Sequence, residues 1–154
     1  MVAVTHDGNH QLFPVAFAFA EAEQRDSWEW FLAHLSFSLG EPKNLTMISN
    51  RQKGLIPAIQ ALMPSAKHCF CCHHIAENIK AAFNDHGIIR KFWSAAKAYR
   101  PCEYNAWMDH IKSVDERAYN YIHVIADQCW ATTFAHSCRY NMFTAMLENA
   151  QIVS

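Results

Sequence analysis

The sequence has little glycine and proline, with four Gly and five Pro in 154 residues. Long flexible joints are therefore not expected, and the length is that of one domain able to bury a core. No apolar run is long enough to span a membrane. The net charge of −1 lacks the basic excess that announces many nucleic-acid-binding proteins, although a local basic patch is compatible with it.

Cysteine and histidine are plentiful, with six Cys and ten His. Six Cys would form three disulfides in a secreted protein, but their spacing is irregular and 51% of the residues are hydrophobic. We therefore expect reduced thiols inside the cell. The run "LFPVAFAFA" (12–20) imitates a signal peptide. The region before it has no Lys or Arg and carries Asp7, so we predict a strand there and no export.

The first half of the chain predicts alternating strands and helices. Residues 1–20 are typical of strand, turn and strand, with Asp7-Gly8-Asn9 as the turn and Pro14 at an edge or bulge. Asp26 and Glu29 suggest a capping pair for the next helix, which Gly40 ends. Its predicted apolar stripe comprises Trp28, Phe31, Leu32, Leu35 and Leu39.

The pattern continues with a strand at 44–49, a short helix around 57–63, a strand in "KHCFC" and a helix from His73 to Phe83. Beyond about residue 88 everything is predicted to be helix. Two apolar faces support this, one formed by Tyr104, Trp107, Met108 and Ile111 and the other by Ile122, Ile125, Ala126, Cys129 and Trp130.

The segment "HCFCCHH" (68–74) is dense in side chains that bind zinc. A structural zinc site needs four ligands, and a local corner aims only two or three inward. Distant partners would have to come from Cys102, Cys129, His136 and Cys138, and spacing does not select among them. The alternative interpretation is that Cys69 and Cys71 are small buried strand residues.

The segment "IIRKFWSAAKAYR" (88–100) mixes basic and aromatic residues. Arg90, Lys91, Lys97 and Arg100 would suit a strip facing phosphates. The alternative is an ordinary helix with a solvated basic face. The chain has no phosphate-cradling glycine loop and no nucleophile elbow.

Three separated segments, taken in order, resemble a known family. They are "VTHDGNHQLFPVAFAFAEAEQRDSWEWFLAHL", "MISNRQKGLIPAIQALMPSAKHCFCCHHIAENIK" and "CWATTFAHSCRYNMFT". All three are similar to the transposase domain of plant Mutator-like elements (MULE). The resemblance implies an α/β (α+β) fold over 1–154, an incomplete RNase H-like mixed sheet with flanking helices and a helical C-terminal portion. It also implies a nuclear protein whose intact relatives act on DNA.

The intact family cuts and joins DNA with an Asp-Asp-Glu triad that holds Mg or Mn. By resemblance, the first Asp lies on a strand upstream of this chain. The second falls at Asn50, in Ser49-Asn50-Arg51, and the Glu corresponds to Glu148. Asn supplies a neutral oxygen without the charge that Mg²⁺ prefers. Cys71 and His74 match the family's Cys-x-x-His motif. We therefore expect a catalytically inactive remnant that needs no cofactor.

The missing first strand has a structural consequence. By resemblance it is central, so its loss would leave two inner edges unpaired, each buried orphan group costing about 1–3 kcal/mol. The chain would then fold poorly, close the gap by shifting strands, or self-associate through the open edge. Two other functions remain open: a domesticated module that binds DNA or a transposase-derived partner, and a small zinc-stabilised interaction protein.

Overall fold

The computed structural model describes residues 1–6, 9, 11–40, 44–135, 142–143 and 150–153. The chain forms two compact units, Met1–Cys69 with Ser137–Ser154 and Phe70–His136. Several residues singled out from the sequence lie outside the described residues, namely Asp7, Gly8, His136, Cys138 and Glu148.

The first unit contains a five-stranded sheet. Its strands are β1 (Val2–His6), β2 (Leu12–Phe17), β3 (Thr46–Ser49), β4 (Lys67–Phe70) and β5 (Ala150–Val153), in the order β2-β1-β5-β3-β4. Two helices belong to the same unit, α1 (Arg25–Leu39) and α2 (Leu55–Leu62). The predicted mixture of strands and helices is confirmed at this level.

Strands β1 and β2 form an antiparallel hairpin, and Pro14 lies in it at the edge of the sheet and next to a bulge, as predicted. Strand β2 is at the edge of the sheet, where a missing backbone N–H is tolerated. The register also shifts between Ala3, which pairs with Ala16, and Val4, which pairs with Pro14. The hairpin therefore contains a bulge next to the proline.

Strand β5 joins the two halves of the sheet. It pairs in parallel with β1, at Ala3 with Ala150 and Val4 with Gln151, and antiparallel with β3 over all four β3 residues. The expectation of helix alone beyond about residue 88 is therefore wrong at Ala150–Val153. The expectation of two unpaired inner edges is also wrong, because β5 pairs with β1 through Ala150 and Gln151 and with β3 through all four of its residues.

Helices α1 and α2 cover one face of the sheet. Trp28, Phe31, Leu32 and Leu35 of the predicted stripe are buried with Ala3 of β1 and Met47 of β3, and Leu39 is partly buried against them. Gly40 follows α1 with a φ of 68°, as expected of a helix stop. The predicted capping pair is wrong, because α1 begins at Arg25 and Glu29 instead accepts a hydrogen bond from Arg25 at 2.6 Å.

The second unit is helical. It contains α3 (Cys72–Phe83), α4 (His86–Lys97), α5 (Pro101–Val114), α6 (Glu116–His123) and two 3₁₀ helices, Asp127–Cys129 and Thr132–Phe134. Asp85 and Asp115 cap α4 and α6 by accepting backbone hydrogen bonds. Tyr104, Met108 and Ile111 are buried as predicted, whereas Trp107 is 36% exposed.

The aromatic centre of this unit is Trp130, which is fully buried. Its ring stacks on Phe92 with centroids 5.0 Å apart and lies 5.7 Å from the ring of Tyr104. The predicted helical face from Ile122 to Trp130 is wrong as one helix, because α6 ends at His123 and the chain continues as a 3₁₀ helix. Tyr104 explains the position of that 3₁₀ helix, since its hydroxyl donates to Asp127 Oδ1 at 2.7 Å.

Candidate functional site

The candidate site lies where β3 ends. All four residues of β3 are buried, and the half-buried Asn50 follows immediately. The turn then leads into α2, with Pro57 in its first turn, where a missing N–H costs nothing. Sequence reasoning therefore placed Asn50 correctly in a turn between a buried strand and a helix. Its catalytic assignment remains a prediction.

The turn is tied to the segment that precedes α1. The side-chain amide of Gln52 donates to the Glu23 carbonyl at 2.6 Å. Gly54 makes a close approach, because a Cβ at that position would lie 2.9 Å from the backbone nitrogen of Arg25. Any larger residue at position 54 would push the turn away from the start of α1. Both contacts therefore hold the turn after Asn50 against residues 23–25.

Ser49 is the buried polar residue beside Asn50. Its Oγ donates to the Asn50 carbonyl at 2.8 Å and lies 2.7 Å from His68 Nε2 on the neighbouring strand β4. A hydroxyl has only one proton, so this arrangement requires His68 to donate from Nε2 to Ser49. Burial lowers the pKa of His68 to about 4, so the ring is neutral at pH 7.

This group does not fit a divalent magnesium or manganese ion. Ser49, Asn50 and His68 are all neutral, whereas Mg²⁺ prefers charged oxygen ligands in octahedral geometry. In the parts of the chain that the structure describes, no three His, Cys, Asp or Glu side chains converge as a metal site. Glu148 lies outside those parts.

The strand beside this site also contributes no acid. The antiparallel register pairs Ser49 with Ala150 and Ile48 with Gln151, and the whole of β5 reads Ala-Gln-Ile-Val. The sheet position between β1 and β3 is thus filled by a strand without a carboxylate. Sequence reasoning missed this strand, because four residues far from their partners give no periodic signal.

The Cys and His residues of 68–74 divide between a strand and the start of a helix. Cys69 and Cys71 are 3% and 1% exposed, in line with the interpretation as small buried residues. Cys72 is also buried, and its thiol lies 3.6 Å from the carbonyl oxygen of Trp130. His74 is in the first turn of α3, beside His73 with ring centroids 5.9 Å apart. Zinc binding by Cys71 and His74 stays a prediction.

The basic residues of 88–100 occupy different environments. Arg90 and Lys97 are exposed on α4, and the Lys97 ammonium lies 5.5 Å from the centroid of the Trp93 ring. Arg100 donates to Glu103 at 3.0 Å, and this hydrogen bond raises the pKa of Arg100 while lowering that of Glu103. The half-buried Lys91 lies near the Asp85 cap. Helix α4 itself contains no acidic residue.

Comparison with known proteins identifies the family. The MULE transposase domain matches residues 1–78, just over half of the chain. The chain therefore belongs to the MULE transposase domain family, as the resemblance predicted. The match includes Asn50, Cys71 and His74, and it ends before α4.

A curated relative is also similar to this chain. Protein FAR-RED IMPAIRED RESPONSE 1 of Arabidopsis thaliana is 21% identical over 103 residues, which cover 66% of the chain. The chain spans only 12% of the length of that protein. Among the described residues, no helix has both the length and the apolar character needed to cross a membrane.

Proposed function

We propose that this chain is a non-catalytic derivative of a MULE transposase domain, built on a rearranged RNase H-like sheet. The observation that carries the proposal is the loss of charge at two neighbouring places. Asn50 stands where the resemblance expects the second catalytic Asp. Ala150–Val153, without an acid, fills the position between β1 and β3 where the resemblance expects the strand of the first.

The chemistry of phosphoryl transfer explains why this matters. Two-metal catalysis clamps the attacking and leaving oxygens between cations that protein carboxylates hold in place. A neutral amide beside a serine hydroxyl and a neutral imidazole offers no such charge, so we expect no resident divalent metal. Restoring one acid by Asn50→Asp would still leave the neighbouring strand without its carboxylate.

The test is nicking and strand transfer on supercoiled DNA with Mg²⁺ or Mn²⁺. We expect no cleavage by the wild-type chain or by Asn50→Asp, while near-UV circular dichroism checks that both are folded. Metal-dependent cleavage that Glu148→Ala abolishes would overturn the proposal. Glu148→Gln is the matched control, since it removes only the charge of that side chain.

A second function is supported by α4. Arg90 and Lys97 are exposed on a helix without acidic residues, and Trp93 supplies an aromatic surface under Lys97. Such a surface suits the backbone of DNA, which would agree with a nuclear module that binds DNA without cutting it. The name of the Arabidopsis relative refers to a far-red response and not to transposition, which supports a role outside transposition. Absence of duplex binding at low salt would exclude this function.

Binding of a transposase-derived protein partner is the other form of this module, and a small zinc-stabilised interaction protein is a separate alternative. Elemental analysis of protein purified without chelators separates the zinc form from the others. One zinc per chain, lost in Cys71→Ser and His74→Ala, would support it. Protein free of zinc would exclude it.

A further inference from the structure

The position of β5 between β1 and β3 creates a site that accepts a strand. In the described part of the chain, β1 and β3 are connected in the sheet only through β5. Six residue pairs hold β5 there, two with β1 and four with β3. We call the space between β1 and β3 the strand slot.

The strand slot lies inside the unit and not at its edge. Ala3 and Val4 on one side are fully buried, and Met47 and Ile48 on the other side are at most 1% exposed. Backbone N–H and C=O groups this deep need partners, because water does not reach them. The folded unit therefore requires a strand in the slot, whichever chain supplies it.

The backbone of the slot does not select a direction. Since β5 is parallel to β1 and antiparallel to β3, β1 and β3 run antiparallel to each other. A strand inserted either way makes one parallel and one antiparallel ladder. Specificity must come from the register, which places Ala150 between Ala3 and Ser49, where the neighbours are small.

We propose that the strand slot also accepts Ala150–Val153 from a second copy of this chain, so that two chains exchange β5. A second copy is the occupant that the register favours, because the exchanged strand repeats the same six pairs. The closed and the exchanged arrangement then contain the same strand contacts, and protein concentration decides between them. This inference does not depend on whether the chain cuts or binds DNA.

The test uses two full-length single variants, Ala3→Cys and Ala150→Cys, one of them isotopically labelled. Neighbouring strands lie about 4.8 Å apart, within the Cα separation that a disulfide spans. Neither variant can bridge positions 3 and 150 within one chain. We expect mixing at high protein concentration, followed by mild oxidation, to give a mixed-label disulfide between these positions, identified by peptide mapping. Its yield should rise with concentration.

Gln151→Cys is the matched control. Position 151 is the next residue along β5, and the register pairs it with Val4 and Ile48 and not with Ala3. It should not bridge to position 3. A chain that carries both Ala3→Cys and Ala150→Cys reports closure within one chain.

The outcomes separate cleanly. Bridging of mixed single variants at 3 and 150, without bridging at 3 and 151, supports exchange. A bridge only within the double variant means that β5 binds its own chain alone, and this overturns the proposal. Equal bridging at 150 and 151 is random oxidation and also overturns it, as does the absence of any bridge.

Discussion

Ser49 on β3 and His68 on β4 form a polar contact across two neighbouring strands, with Ser49 Oγ 2.7 Å from His68 Nε2. The same hydroxyl donates to the carbonyl of Asn50, so a neutral histidine fixes the residue that holds the turn. We interpret this contact as structural, because the imidazole is desolvated and the Ser49 hydroxyl is fully buried.

The first prediction concerns the loss of stability at low pH that His68 causes. Burial lowers the pKa of His68 from 6.5 to about 4. Between these two pH values the unfolded chain is protonated at His68 while the folded chain is not. The contribution of His68 to the free energy of unfolding is therefore fully present above pH 6.5 and is lost as the pH falls towards 4. The loss is at most about 3 kcal/mol, and less where solvent reaches the half-buried ring. Urea unfolding between pH 7 and 4.5 measures it.

One variant isolates the contribution of His68. His68→Gln keeps an amide that can donate to Ser49 but cannot gain a proton, so its free energy of unfolding should fall less steeply with acid than that of the wild type. Equal slopes in the wild type and His68→Gln would contradict the prediction.

The second prediction concerns the start of α4. Asp85 Oδ1 accepts from the backbone nitrogens of Gly87 at 2.6 Å and Ile88 at 3.2 Å. Asp85→Ala should lower the free energy of unfolding by about 1 kcal/mol, because two backbone donors lose their acceptor. Asp85→Asn should stay close to the wild type. The exposed Asp109→Ala, in the middle of α5, is the control, and an equal loss there would refute the cap as the cause.

The third prediction concerns the aromatic centre of the helical unit. Trp130→Ala removes the ring stacked on Phe92 and leaves the Ile125 carbonyl without the indole N–H that donates to it at 3.3 Å. We expect a loss of about 3–5 kcal/mol in thermal or urea unfolding. Trp107→Ala, at a partly exposed position of the same unit, should cost far less. Similar losses for both variants would mean that the stack is not central.

The fourth prediction concerns DNA. Arg90→Ala and Lys97→Ala should each weaken duplex binding and reduce the slope of log affinity against log salt by about 1, the value for one phosphate contact. Arg100→Ala should change both less, because Glu103 already accepts a hydrogen bond from its guanidinium. Fluorescence anisotropy across a salt series measures both quantities. An effect of Arg100→Ala as large as the others would mean that the DNA-binding surface is not on α4.

The sequence was informative where local patterns determine structure. The stripe of α1, the buried strand β3 and the turn at Asn50 follow from spacing and turn chemistry, so they were predicted. The partner of Ser49 was not, because His68 is 19 residues away and meets it only through strand pairing. The end of α6 at His123 was not predicted for the same reason, since the hydrogen bond between Tyr104 and Asp127 joins residues that are distant in the sequence. Strand β5 was the largest feature that the sequence did not predict. It fills the position between β1 and β3 where a gap was expected.

The position of β5 also sets an order of events during synthesis. Strand β1 is synthesised well before β5, yet its inner edge pairs with residues 150 and 151. The sheet therefore cannot close while the ribosome is making the chain up to that point. Until residues 150–153 are available, the inner edges of β1 and β3 lack the strand that pairs with both in the folded chain. Such long-range closure slows folding and prolongs the time in which nascent chains can pair with one another.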